Sequence, residues 1–254
     1  MNIVILGTGQ VGLTHAVVCA ELGHRVVAFD RNAEKLAALR SGNSDQIKAY
    51  VNEARLVTRL RELRWTRLLF ASRWTHLLDD VDVVFICIPA GRENSAARSD
   101  YRSTACQLAE NLARRGTSRR CVVINKSVVP VGTARWLEGI LHAHGLSDVG
   151  VASNPDVLLD GDALQAARRP CEIVVGADRP QVFRVVRTLY KSFVANARIR
   201  YVEASPEVAE AMTPNANAMA DNEDEMSSRR MVKESLAISP CPVCAAPGLN
   251  RSAG

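Results

Sequence analysis

Residues 2–12 read NIVILGTGQVG, and this stretch decides the fold. A short apolar run of strand type ends at Gly7, and the helical pattern that follows it ends at Gly23. Gly7 permits a tight turn, Gly9 lets the backbone approach a ligand, and Gly12 lets the helix pack closely against the strand. The stretch therefore predicts a strand, a glycine turn and a helix whose free N–H groups bind phosphate.

The alternation of strand and helix patterns continues along the chain. Further strand-like runs lie at 25–29, 68–70, 82–88, 120–125, 148–152, 171–176 and 198–202. Helical patterns lie at 32–40, 99–114, 133–144 and 180–192, and the region 44–80 is polar, Arg-rich and mostly helical. Strands that alternate with helices of about ten residues or more predict crossover units. We therefore expect an α/β fold with a doubly wound parallel sheet of Rossmann type.

An acidic residue closes the second strand. Asp30 lies 23 positions after Gly7, where a carboxylate accepts hydrogen bonds from both ribose hydroxyls of a dinucleotide. The same charge repels a 2′-phosphate, so the pattern favours NAD over NADP, although the neighbouring Arg31 weakens this preference. The alternative is a structural glycine turn without a ligand.

The composition is that of a globular protein. Of the 254 residues, 47% are hydrophobic and 23% charged, with a formal net charge of +5. These values exclude disorder of the whole chain, and no apolar run approaches the roughly 18 residues of a membrane span. The first residues lack the basic region of a signal peptide, so we expect a cytoplasmic protein without a membrane partner.

The excess of basic residues does not indicate nucleic-acid binding. In the stretch 55–67, arginines alternate with Leu and Glu at helical spacing, and Trp65 is the single aromatic residue among them, whereas stacking platforms would need several. This pattern is typical of a solvated helix face.

The cysteines indicate neither disulfides nor a metal site. Seven cysteines, an odd number, predict reduced and mostly buried thiols. Cys241 and Cys244 form a lone C-x-x-C pair, which lacks the second pair or histidines that zinc requires. Pro240 and Pro242 argue against a redox helix there. We expect no metal.

The last part of the chain divides into two segments. Ser205, Pro206 and Glu207 predict a helix start, because serine caps, proline fits the first turn and glutamate meets the helix dipole. Pro214 interrupts this helix, whose apolar stripe consists of Val208, Met212, Ala216 and Met219. We therefore predict a dinucleotide-binding domain over 1–204, the start of an interdomain helix over 205–220, and a weakly ordered tail over 221–254.

Three stretches resemble one protein family. Residues 4–12 with 20–24 resemble its first crossover, residues 125–133 (NKSVVPVGT) resemble its N-K-S-T-V-P-V-G-T, and residues 153–161 (SNPDVLLDG) resemble its S-N-P-E-F-L-x-E-G. The family is that of UDP-glucose/GDP-mannose dehydrogenases. The chain is most similar to the NAD-binding N-terminal domain of UDP-glucose 6-dehydrogenases, and the similarity runs from residue 1 to about residue 220.

The resemblance implies an activity and a set of site residues. That family oxidises the C6 alcohol of a sugar nucleotide to a carboxylate in two NAD-dependent hydride transfers, with a cysteine that traps the aldehyde. It implies these cofactor-binding residues: Gly7, Gly9, Gln10, Val11, Gly12, Asp30, Lys35, Ala90, Val128 and Asp160. It implies a reduced catalytic set of Asp156, Asp160 and Asn217.

The sequence also departs from the family pattern. Ala90 and Val128 stand where the family has threonine, and Thr213 stands where it has the catalytic lysine. Asp156 and Asp160 each replace a longer glutamate. A displacement of about 1 Å at such a position can reduce a rate about 100-fold. The family motif with the nucleophilic cysteine, G-x-G-G-x-C-F-P-K-D, does not occur in these 254 residues.

Three hypotheses follow. The first is a truncated NAD-binding domain, inactive alone, which self-associates through an exposed 205–220 helix and has a UDP-sugar as a further partner. The second is a dehydrogenase of narrower scope that performs one hydride transfer without a cysteine. The third is a non-enzymatic module that senses NAD or binds a partner.

Three residues also have a purely structural interpretation. Asp156 and Asp160 are either site carboxylates or ordinary loop acids. Lys126 is either a cofactor-side contact or a charge at a strand end.

Overall fold

A computed structural model describes residues 1–74, 76–89, 95–115, 121–156 and 162–212, which form one sheet with helices on both faces. The strands are β1 (Asn2–Leu6), β2 (Arg25–Phe29), β3 (Leu68–Ala71), β4 (Val83–Ile86), β5 (Val122–Asn125), β6 (Gly150–Ser153), β7 (Glu172–Gly176) and β8 (Arg200–Ala204). The helices are α1 (Gln10–Glu21), α2 (Ala33–Ser41), α3 (Ser44–Lys48), α4 (Ala54–Leu63), α5 (Ser95–Arg115), α6 (Thr133–Ala143), α7 (Ala163–Arg168), α8 (Pro180–Leu189), α9 (Lys191–Val194) and α10 (Pro206–Ala211).

The strand order confirms the predicted Rossmann-like α/β fold. The sheet runs β3-β2-β1-β4-β5-β6-β7-β8, and the first six strands are parallel in the order of a dinucleotide-binding fold. The order reverses between β1 and β4. In open α/β sheets, ligands bind at the carboxyl ends of the strands beside such a point.

The sheet is mostly parallel, and its last two strands run in the opposite direction to the first six. β7 pairs with β6 in the antiparallel sense, at Ser153 and Gly176, and β8 is parallel to β7. Between β6 and β7 lies α7, a six-residue helix that packs against α1. The chain therefore enters β7 from the edge at which it left β6. A strand that is buried on both faces is apolar throughout, so its sequence pattern does not show in which direction it runs in the sheet.

Two hydrophobic cores cover the two faces of the sheet. Ile3 and Ile5 of β1 point into the first core, with α1, α2, α4, α7 and α8. Val4 and Leu6 point into the second, with α5 and α6. Successive residues of β1 point to opposite faces of the sheet, and an apolar core covers each face. β1 is therefore a continuous apolar run.

The predicted start of α10 is confirmed. The Ser205 side chain accepts a hydrogen bond from the Val208 N–H group, and Pro206 occupies the first turn. The buried residues of α10 are Pro206, Ala209 and Glu210. The two described residues of the predicted stripe, Val208 and Met212, are half-buried. Self-association through this helix stays a prediction.

Several predicted features fall outside the described residues: Pro214, Ala216 and Met219, the 221–254 tail, and the Cys241–Cys244 pair. The five cysteines of the described part are free thiols. Among the helices that the structure describes, none combines the length and apolar character needed to cross a membrane.

We expect Gly176→Ala to destabilise the protein. A Cβ atom at this position of β7 would lie 2.6 Å from the Ala209 Cβ atom and 2.7 Å from the Ser205 carbonyl oxygen, both in or beside α10. Such overpacking lowers the free energy of unfolding by about 1–3 kcal/mol, measured by urea denaturation.

Gly139→Ala is the matched control for that variant. Gly139 lies inside α6, and a Cβ atom there meets no heavy atom within 4 Å. The same chemical change is expected to stabilise the protein by up to about 1 kcal/mol through helix propensity. Equal stabilities of the two variants would contradict the close contact between β7 and α10.

Candidate functional site

The glycine turn joins β1 to α1 with almost no free space behind it. Gly7 has a φ angle of +98°, in the region that favours glycine. A Cβ atom on Gly12 would lie 1.9 Å from the Gly7 carbonyl oxygen, so only glycine allows this approach of helix and strand. A Cβ atom on Gly9, in contrast, would have no heavy atom within 4 Å. The turn is therefore closed towards the core and open on the side where a ligand approaches.

The first turn of α1 is suited to an anion. Gly9 is the N-cap residue in an extended conformation, and no side chain caps this end of the helix. The first N–H groups of a helix have no partners within the helix, and its dipole favours negative charge there. The backbone at Gly9 and the following residues thus offers donors to a pyrophosphate.

Asp30 is fixed beside this turn. Its Oδ2 atom accepts hydrogen bonds from the Thr8 N–H group at 2.9 Å and from the Thr8 hydroxyl at 2.5 Å, and its Oδ1 atom accepts one from the Asn32 N–H group at 3.0 Å. The Lys35 Nζ atom lies 4.0 Å from Oδ2. Burial acts to raise the pKa of Asp30, but these hydrogen bonds and the lysine outweigh it, so this pKa is lowered and the group is a carboxylate at neutral pH.

Arg31 points away from the Asp30 carboxylate. Its Nη2 atom donates to the Thr104 hydroxyl at 3.1 Å and to the Ser103 hydroxyl at 3.4 Å. Its Nη1 atom lies 3.6 Å from the Asp100 carboxylate. All three partners belong to α5. The guanidinium is therefore directed to α5, and the predicted preference for NAD over NADP rests on the charge of Asp30.

The structure places the other predicted cofactor residues as follows. Gln10 and Val11 form the first turn of α1, and the Gln10 side chain lies 3.5 Å from a carboxylate oxygen of the buried Glu53. Val128 is half-buried in the segment after β5. The remaining predicted site residues lie outside the described residues: Ala90, Asp160 and Asn217, together with Thr213.

Asp156 takes part in a buried charge cluster. Its Oδ2 atom lies 2.8 Å from His15 Nε2 on α1 and 3.3 Å from Lys126 Nζ, which directly follows β5. Lys126 also donates to the Asn154 side-chain oxygen at 3.2 Å, and that oxygen accepts a hydrogen bond from the Tyr190 hydroxyl. We call His15, Asp156 and Lys126 the charge cluster. His15 is 4% exposed and Lys126 is 3% exposed, so the Lys126 charge at the end of β5 is buried.

The protonation states in the charge cluster follow from its surroundings. Burial acts to raise the pKa of Asp156, but the Lys126 charge and the hydrogen bond from His15 hold this pKa well below its usual value. Burial and the Lys126 charge lower the pKa of His15. His15 is therefore neutral at pH 7 and donates through Nε2–H, while Nδ1 has no hydrogen-bond partner among the described residues. The cluster holds one positive and one negative charge.

The neighbouring titratable groups add no charge to the cluster. Burial raises the pKa of the Cys19 and Cys87 thiols to about 12. Burial also raises the pKa of the Tyr190 hydroxyl well above its usual value. All three groups are neutral at pH 7.

Sequence reasoning missed the role of His15 and of Glu210. His15 lies on the apolar face of α1, where a buried imidazole requires a polar partner, but its partner is 141 positions away in sequence. Glu210, 1% exposed, accepts hydrogen bonds from the Gly132 and Ala134 N–H groups at 2.7 and 2.8 Å. This carboxyl group caps α6 from α10 and fixes the segment that contains Lys126.

Comparisons with known proteins agree with this geometry. The profile of the UDP-glucose/GDP-mannose dehydrogenase family, NAD binding domain, matches residues 1–194. The UDP-glucose 6-dehydrogenase of Pseudomonas aeruginosa is 36% identical over 205 aligned residues, in an alignment that covers 77% of this chain and 43% of that protein. The chain thus spans less than half the length of this relative.

Solved structures show the same fold. A UDP-glucose dehydrogenase from the archaeon Pyrobaculum islandicum aligns with a TM-score of 0.72 and 28% identity, over 82% of this chain and 47% of that one. A GDP-mannose dehydrogenase from Pseudomonas aeruginosa, solved as a ternary complex, aligns with a TM-score of 0.73 and 24% identity, over 86% of this chain and 49% of that one. These alignments show the fold, and the family profile shows that residues 1–194 are an NAD-binding domain.

The neutral state of His15 predicts a pH-dependent stability. The native pKa of His15 lies below its usual value of 6.5, so the unfolded chain binds a proton more readily. The contribution of this group is present above pH 6.5 and is lost as the pH falls, by up to about 1.4 kcal/mol per pH unit. We expect the free energy of unfolding of His15→Gln, which keeps an N–H donor for Asp156, to fall less between pH 7 and pH 5.5.

The readout is the difference between the two proteins in urea unfolding. Burial raises the pKa of Glu210 to about 7, which contributes in the opposite sense over the same range, but it is present in both proteins. The same slope for wild type and His15→Gln would show that His15 is not neutral in the native state.

Proposed function

The chain belongs to the UDP-glucose/GDP-mannose dehydrogenase family, and from this premise we propose that it supplies the NAD-binding part of a UDP-glucose 6-dehydrogenase-like oxidoreductase. Such an enzyme oxidises the C6 alcohol of a sugar nucleotide to a carboxylate while NAD is reduced. The observation that carries the proposal is the open glycine turn with Asp30 fixed beside it. The sugar nucleotide is the proposed second partner.

The residues fit a dinucleotide. Gly9 leaves open space at an uncapped helix N-terminus, and Asp30 presents a carboxylate at the carboxyl end of β2. We infer that Asp30 binds the adenosine ribose, with Lys35 close to it, and that the first turn of α1 binds the pyrophosphate. The carboxyl ends of β4, β5 and β6 would then hold the nicotinamide half, and NAD would supply the hydride acceptor when bound.

We further propose that this 254-residue polypeptide binds NAD without oxidising the sugar by itself. Where the resemblance implies a lysine that stabilises a developing oxyanion, the sequence has the neutral Thr213. Where it implies a water-binding threonine, the sequence has Val128. A nucleophilic cysteine in the family motif is not present in the sequence either, and without that thiolate the second oxidation has no covalent route.

We expect calorimetric titration to show binding of NAD, with weaker binding of NADP. Asp30→Ala should weaken NAD binding at least about tenfold, because hydrogen bonds to a charged acceptor contribute about 1.5–3 kcal/mol each. Asp45→Ala is the control, since it removes the same charge from an exposed position on α3. Equal losses in the two variants would place the cofactor elsewhere on the molecule.

We expect no reduction of NAD when UDP-glucose is added to the NAD complex. The measurement is absorbance at the nicotinamide band of NADH, followed over hours at high protein concentration. NAD binding without reduction agrees with a cofactor domain and also with the alternative of an NAD-sensing module. An increase in absorbance that Asp30→Ala abolishes would contradict the proposed lack of activity.

A further inference from the structure

We propose that the charge cluster of His15, Asp156 and Lys126 sets the relative affinity of this site for oxidised and reduced NAD. In this arrangement the Asp156 carboxylate compensates the Lys126 ammonium at the edge of the sheet that would hold the nicotinamide half of the cofactor. The inference rests on the proposed placement of NAD and adds a role for residues outside the glycine turn.

The position of the charge cluster in the fold supports this role. Lys126 directly follows β5, and Asp156 follows β6 by three positions. Both residues thus lie at the carboxyl ends of the strands, the edge at which α/β sheets bind their ligands. Asp30 follows β2 in the other half of the sheet. A dinucleotide whose adenosine ribose meets Asp30 extends its nicotinamide towards β5 and β6.

The two forms of the cofactor differ in charge at the nicotinamide ring. The ring carries one positive charge in NAD⁺ and none in NADH. A nearby ammonium therefore weakens binding of NAD⁺ relative to NADH, and a nearby carboxylate strengthens it. Lys126 and Asp156 have opposite effects, and their side-chain atoms are 3.3 Å apart, so their fields largely cancel.

Burial makes either charge effective when the other is removed. The side chain of Lys126 is 3% exposed and that of Asp156 is 31% exposed, which reduces screening by water and salt. His15 contributes a hydrogen bond without charge, because burial keeps it neutral. Asn154, Tyr190 and the two thiols nearby are uncharged as well. The charge pair alone is therefore expected to act on the ring.

The test is the ratio of the dissociation constants of NAD⁺ and NADH, each measured by calorimetry. We expect Asp156→Asn to raise this ratio about threefold to tenfold, because it leaves the Lys126 charge uncompensated. We expect Lys126→Gln, which keeps a hydrogen-bond donor, to lower the ratio by a similar factor. Asp45→Asn, which makes the same chemical change as Asp156→Asn at an exposed position on α3, is the matched control and should leave the ratio unchanged.

The opposite directions separate an electrostatic role from a structural one. Damage to the site weakens the binding of both cofactor forms alike and leaves their ratio near that of the wild type. Circular dichroism and unfolding midpoints establish that each variant is folded. If Asp156→Asn does not fold, the test rests on Lys126→Gln. The inference then requires that its ratio of dissociation constants is lower than that of the wild type.

Each other outcome overturns the inference. Ratios that do not change, or that change in the same direction for Asp156→Asn and Lys126→Gln, would show that the cluster does not act on the ring. If neither variant folds, the pair is needed for the fold alone. If the wild type binds neither NAD⁺ nor NADH, the proposed function fails as well, whereas an unchanged ratio with intact binding overturns only this inference.

Discussion

The contact between Gly12 and the Gly7 carbonyl oxygen is the constraint on which the site depends. A Cβ atom at residue 12 would lie 1.9 Å from that oxygen, so α1 starts directly at the carboxyl end of β1 only with glycine. This brings the first turn of α1 and Asp30 to one edge of the sheet. It also places His15, about one turn further along α1, within 2.8 Å of Asp156 beyond β6. The close approach of Gly12 to Gly7 thus helps to position both the glycine turn with Asp30 and the charge cluster.

A second connection runs from α10 to the same edge. Glu210 is buried and accepts hydrogen bonds from the Gly132 and Ala134 N–H groups at the start of α6. The Ser153 hydroxyl at the end of β6 lies 3.4 Å from the same carboxyl group. Through Glu210, the segment after residue 204 is therefore tied to the 125–133 segment that carries Lys126. The predicted boundary between 204 and 205 divides residues that are in direct contact.

Local patterns predicted most of the fold and part of the site. The glycine turn, the strand-like runs and the cap at Ser205 are visible in short stretches, because they depend on backbone conformation and on neighbouring residues. The reversed direction of β7 and the short helix α7 were not predicted, because a six-residue helix has too few turns to show a period. The pairing of His15 with Asp156 joins residues 141 positions apart. Such contacts follow from the topology of the sheet, which a single sequence does not encode in any local pattern.

The energetics of the charge cluster favour a functional explanation over a structural one. Burial of the Lys126 ammonium and partial burial of the Asp156 carboxylate require the loss of hydration, and apolar residues of similar volume often stabilise a protein equally well or better. Lys126 and His15 both contact the same oxygen, Asp156 Oδ2. Apolar side chains at these three positions would need no such polar partners. The pair lies at the carboxyl edge of the sheet, where the cofactor binds in this fold. The two charges are therefore better explained by the electrostatic field that they produce at that edge than by a contribution to the stability of the core.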